Sequence, residues 1–223
     1  MEIFLKITLY IHIAAGFMAL VTAPVAMAVQ KGGNAHRKWG KVFFYGMTIV
    51  TITAIIIASF KYIPFLLMLS IFSYYSIIKG YRALYLKERY RGQKPALIDW
   101  LSAGLTGIFS LGLLIWGILI LISGFSFGWV AVVFGTIGVT NVYGDIRKFR
   151  NPPKAKMSWW FEHLNGFVGG YIATVTAFSA TNLSFLPPLV AWLFPTVIII
   201  PIMVYWNRKY RKQFGIERKA VRS

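Results

Sequence analysis

Apolar residues run through this chain in long blocks, and polar residues are confined to short connections between them. A helix needs about 20 mostly apolar residues to cross a hydrocarbon core. Seven blocks meet or approach that length: 3–29, 42–60, 62–78, 96–122, 127–144, 159–182 and 185–206. The third is the shortest and carries Pro64 near its start, where proline is tolerated. Only Phe60-Lys61-Tyr62-Ile63-Pro64 separates it from the second, which reads as a tight hairpin. Gly32-Gly33 reads as a helix stop and turn, and Pro24 predicts a kink in the first helix. The longest connection, 79–95, is expected to continue the third helix as a surface turn. The pattern predicts an all-α, polytopic transmembrane bundle of seven helices over 1–207. A basic cytoplasmic tail, 208–223, should fray or lie on the membrane.

Composition agrees. The chain is 57% hydrophobic and 13% charged, against about 25% charged in a soluble domain. Its basic residues are sorted. Of 24 Lys and Arg, 22 fall in four clusters: 31–41, 79–94, 147–156 and 208–222. Basic loops favour the cytoplasm, so alternate connections face inward, with the N-terminus outside and the C-terminus in the cytoplasm. Trp39, Trp100, Trp159, Trp160 and Trp206 fall at the same predicted inner edge, where amphipathic rings anchor. A net charge of +18 is also the footprint of a nucleic-acid binder. Here each basic cluster abuts an apolar run, so no nucleic-acid partner is expected; the charge reads as orientation and as attraction to anionic lipid headgroups. Ala26-Met27-Ala28 has the form of a signal cleavage site. The long apolar run before it and the basic residues after it favour an uncleaved first helix. The chain has no Cys, which removes disulfides, thiolate ligands and cysteine nucleophiles.

Ionisable residues within a span are candidates for function. His12 shares a stripe with Gly16, Ala19, Ala23 and Ala26, and small residues of this kind admit a neighbouring helix. His163 shares one with Gly166, Gly170, Thr174, Ala177 and Thr181. Both histidines are candidate cofactor ligands; the competing reading is a neutral ring hydrogen-bonded to the next helix. Asp99 opens the fourth helix on a face with Ala103, Thr106 and Ser110, and Asn141 and Asp145 share a face near the end of the fifth. With His36 in the first inner loop, His163, Asp99, Asp145 and Glu162 supply nitrogen and oxygen donors suited to zinc or iron. Against this, every acid in so basic a leaflet has a Lys or Arg to pair with. No HExxH, no His pair four apart and no phosphate-loop glycine spacing is present.

Four stretches carry a resemblance: His12-x3-Gly16; Lys31-Gly32-Gly33-x2-His36-Arg37-x2-Gly40; Gly80-Tyr81-Arg82-Ala83; and Gly170-Tyr171-Ile172-Ala173-x-Val175-Thr176-Ala177-Phe178. On these the chain resembles an uncharacterised family of predicted polytopic bacterial membrane proteins, classed as a domain of unknown function. The resemblance implies a multi-helix fold in the bacterial cytoplasmic (inner) membrane and no particular activity or cofactor. Where it leads one to expect a longer side chain shortly after the sixth-helix histidine, this chain has Gly166. The residues leave three readings. The favoured one is a protein holding zinc, iron or haem through buried histidines and inner-leaflet carboxylates. The others are an enzyme acting on a lipid or isoprenoid headgroup, and a small proton-coupled transporter.

Overall fold

The structure, a computed structural model, describes residues 1–216. It is all-α, with seven α-helices among the described residues: α1 Glu2–Ala28, α2 Asn34–Phe60, α3 Pro64–Arg82, α4 Leu97–Ile122, α5 Gly128–Arg150, α6 Ser158–Asn182 and α7 Pro188–Gln213. Two short 3-10 turns, Ala83–Tyr85 and Arg89–Arg91, fold the α3–α4 connection against the bundle.

Each expected block is a helix, but four helices outrun the apolar residues that marked them, α3 by one turn to Arg82. α2 begins at Asn34, so His36 lies in its first turn and not in a loop; α5 continues to Arg150 and α7 to Gln213. Hydropathy marks where a chain leaves an apolar solvent, whereas helical hydrogen bonds continue until a residue breaks them. Gly32 supplies the break before α2 with a φ of 77°, a backbone conformation that costs glycine nothing. The tail read as frayed is therefore helical through Gln213 and ends by packing Phe214 on Trp160, with ring centroids 5.3 Å apart; its remainder, 217–223, lies outside the described residues. α1 stays helical through Pro24.

The solvent can be read from α4. Its buried face carries Asp99, Ala103, Thr106 and Ser110, as expected, and its exposed face carries Leu101, Leu105, Ile108, Leu111, Ile115 and Ile122. Ile108 is 71% exposed while Ser110 is 0% exposed. A soluble helix shows the opposite distribution. Five helices (α1, α2, α4, α5 and α7) are long and apolar enough to cross a membrane. α3 and α6 fall short because they are interior: residues 67–83 and 158–176 include no exposed position, so neighbouring helices take the place of lipid.

α3 is the hub. It packs on α2, α4 and α6; α1 lies on α2, α5 on α4, and α7 on α6, while α5 meets α3 through side chains, with Phe134 against Phe72 and Asp145 bonded to Tyr75 and Lys79. The α3–α6 crossing depends on two glycines. A Cβ on Gly166 would sit 2.5 Å from Gly80 Cα, and one on Gly80 would sit 2.8 Å from the Phe167 ring. This accounts for Gly166 where a larger residue was expected. The small stripe of α1 is buried at Ala19, Ala23 and Ala26.

Candidate functional site

The end of the bundle that gathers the basic clusters also gathers the C-termini of α1, α3 and α5. The last four carbonyls of a helix have no partner within it and carry the negative end of its dipole. Basic side chains from elsewhere satisfy them here. His36 Nδ1–H donates to Ala26 O of α1 at 2.8 Å, and Lys31 Nζ donates to the adjacent Met27 O. His163 Nδ1–H donates to Gly80 O of α3 at 3.0 Å. Arg89 Nη2 donates to Lys148 O of α5 at 2.5 Å. Because a carbonyl only accepts, each imidazole carries its proton on Nδ1. Burial pulls the Lys31 ammonium below its ordinary range.

The carboxylates go to cations, not to the histidines. Arg82 grips Asp99 with Nε and Nη2 at 2.8 and 2.9 Å, and Asp99 also accepts the Ala96 N–H at 2.8 Å, closing the first turn of α4. Asp145 takes Lys79 and the Tyr75 hydroxyl at 3.0 Å each and Lys148 at 2.9 Å. Glu162 lies 3.7 Å from both Arg89 and Lys148. Arg89 is 2% exposed, stacks over Phe149 at 5.4 Å, and is the largest fully buried side chain among the described residues. Replacing Asp99 with Asn is expected to lower stability by about 1–3 kcal/mol through loss of the charged Arg82 pair; a thermal melt of the purified protein against wild type measures it.

The expected ligand set thus divides. His36 and His163 come together, with ring centroids 6.2 Å apart. Asp99, Asp145 and Glu162 form a separate network with Lys79, Arg82, Arg89 and Lys148. Among the described residues no three of His, Asp and Glu are placed to hold one metal ion. His12 joins neither group. Its Nδ1–H donates to Thr53 Oγ1 at 2.9 Å and Val50 O at 3.2 Å of α2, while the Thr53 hydroxyl passes its own proton to Ile49 O. His12 and His163 therefore do not share a site; each hydrogen-bonds the backbone of a different helix.

Beside the carboxylate network lies a cavity of about 1150 Å³. It exceeds the roughly 300–1,000 Å³ typical of small-molecule pockets. Most of its wall is apolar: Phe72, Phe134, Ile172, Trp192 and Met203 contribute, and His12 borders the end far from the basic residues. At the basic end Lys79, Arg82, Asp99, Asp145, Lys148 and Glu162 line it. Ala177 and Thr181 of the α6 stripe also line it and are exposed.

The residues sequence reasoning did not single out are Lys79, Lys148 and Arg89. Nothing in the run Glu88-Arg89-Tyr90-Arg91 separates the buried Arg89 from its exposed neighbour Arg91, 72% exposed and paired only with Glu88. Compared with family models, curated proteins and solved structures, the chain has no match.

Proposed function

We propose that this is a seven-span protein of the bacterial cytoplasmic membrane, N-terminus outside and C-terminus inside, that holds an amphipathic anionic lipid in its interhelical cavity. The supporting observation is the cavity itself: a large volume with apolar walls and a single charged end. A hydrocarbon chain suits the walls. The charged end suits a headgroup, because Lys79, Arg82 and Lys148 line it beside Asp99, Asp145 and Glu162, and the buried Arg89 behind Glu162 and Lys148 adds one positive charge to that balanced set. The basic clusters favour the inner leaflet for that end.

The test is lipid retention. Protein purified in mild detergent is expected to carry about one lipid per chain in native mass spectrometry, and Ala173→Trp, which fills the cavity, to lower that occupancy on the order of tenfold, a cost of about 1.4 kcal/mol. Ile108→Trp, on the lipid-facing side of α4, should leave it unchanged. Equal retention in all three proteins would refute the reading. His12 at the far end of the cavity favours a conduit as the second reading; proton or solute flux into proteoliposomes that is lost in His12→Ala would support it over simple retention.

A further inference from the structure

We propose that the lipid held in the cavity is a diacyl glycerophospholipid, whose ester carbonyls are received by the Ser73 and Ser76 hydroxyls of α3 and the Asn141 amide of α5. The inference rests on the cavity being a lipid site, and it names the chemistry of that lipid below its headgroup. Three observations carry it.

First, these groups have no use within the protein. Serine in a helix often returns its hydroxyl to a carbonyl three or four residues back. Ser70 of α3 does so, to Leu67 O at 2.8 Å, and so does Ser102 of α4, to Asp99 O at 3.1 Å. Ser73 and Ser76 do not, and neither they nor the Asn141 side chain have a hydrogen-bond partner among the described residues. All three line the cavity and none is exposed. Polar groups withdrawn from water are costly unless something pairs with them.

Second, Ser76 and Asn141 stand at one level. Phe72 packs on Gly138, and Lys79 bonds to Asp145 seven residues further along both helices. Asn141 is therefore level with Tyr75 and Ser76. On α6 the residue beside Ser76 is Gly169. A Cβ there would lie 3.3 Å from Ser76 Oγ, so its absence leaves the hydroxyl uncovered.

Third, the depth is that of an ester. Ser76 and Ser73 precede Lys79 by one and two turns, and Asn141 precedes Asp145 by one. At the rise of a helix this puts them roughly 4–9 Å further from the basic end than the charged residues. The interfacial layer of a bilayer is roughly 5–8 Å thick on each side, and ester carbonyls lie between its headgroups and the chains. A headgroup at Lys79, Arg82 and Lys148 thus brings the esters of the same molecule to Ser73, Ser76 and Asn141. A carbonyl only accepts, and the two hydroxyls and the amide NH2 donate. A polyprenyl phosphate presents only hydrocarbon at this depth and would leave all three unpaired.

The test compares phosphatidylglycerol with ester-linked chains, the same lipid with ether-linked chains, and undecaprenyl phosphate. Each is added to full-length protein in mild detergent, and native mass spectrometry reads the bound fraction. The first two share headgroup, charge and chain length, so a difference between them reports the carbonyls. Wild type is expected to retain the diester on the order of tenfold better than the diether, the effect of one to two hydrogen bonds, and better than undecaprenyl phosphate. Ser73→Ala/Ser76→Ala/Asn141→Leu should bind diester and diether alike. Its lipid-free melting temperature should not fall, because no bond within the protein is lost. Ser76→Ala alone should narrow the preference, so the test survives if the triple variant folds poorly. Ile108→Trp, outside the cavity, should keep it. A wild type that retains none of the three lipids would overturn the lipid reading itself. A wild type that retains lipid but treats diester and diether equally, or prefers undecaprenyl phosphate, would overturn this inference alone, as would a preference that the serine and asparagine variants keep.

Discussion

Replacing Arg89 with Ala is expected to be the most damaging single change outside the helices, lowering stability by about 3–5 kcal/mol, as removal of one member of a buried ion pair does. The side chain does three things at once. Nη2 satisfies Lys148 O at the end of α5, Nη1 lies 3.7 Å from Glu162 of α6, and the guanidinium lies over Phe149 at 5.4 Å. It ties the α3–α4 connection to α5 and α6, two helices that hardly touch each other directly. At 2% exposure no water can replace it. Arg91→Ala, two residues away, should change stability by no more than about 0.5 kcal/mol, since its partner Glu88 is as solvated as it is. Denaturation by SDS titration of the two variants compares them; similar midpoints would mean that the buried guanidinium contributes no more than a surface one. If the loss comes from the charge left on Glu162, Glu162→Gln in the Arg89→Ala background should recover part of it.

The second large effect is expected at the helix crossing. Gly166→Ala should lower stability by about 1–3 kcal/mol, the usual range for overpacking, and Gly166→Leu should prevent α6 from seating on α3. The backbone of Gly80 stands where the new side chain would go, 2.5 Å from its Cβ, and a backbone cannot turn aside as a side chain can. Displacing α6 also breaks His163 Nδ1–H to Gly80 O and moves Asn165 from Asn207, which it meets at 2.6 Å. Gly104→Ala is the control: its Cβ meets nothing within 4 Å, so it should gain about 0.5–1 kcal/mol from helix propensity. Thermal melts order the variants, and a Gly166→Ala protein as stable as Gly104→Ala would show that the crossing is not close-packed.

Much of the architecture was legible before any helix was placed, because one-dimensional patterns carry it. The apolar blocks located all seven helices. Of the α1 stripe His12-Gly16-Ala19-Ala23-Ala26, the three alanines are buried and His12 and Gly16 half-buried, and the shared face Asp99-Ala103-Thr106-Ser110 of α4 is buried throughout, since small and polar residues turn toward other helices. The site was legible only in its parts. His36, His163, Asp99, Asp145 and Glu162 all lie at one end, as the basic clusters implied, yet they do not form one ligand set. Pairing depends on which way each helix is rotated. Asp145 faces Lys79 and Asp99 faces Arg82, residues one turn apart on α3, so α3 draws both acids away from the histidines.

Hydropathy sufficed to locate the helices and to mark five of them as long and apolar enough to cross a membrane, because partition between water and hydrocarbon is summed residue by residue along a segment. The C-terminal carbonyls capped by His36, His163 and Arg89, the burial of Arg89 and not Arg91, and the cavity beside the carboxylate network came only with the tertiary structure. Those features depend on distances between residues tens of positions apart, set by a helix crossing that two glycines make close, and no periodicity within a single helix encodes them.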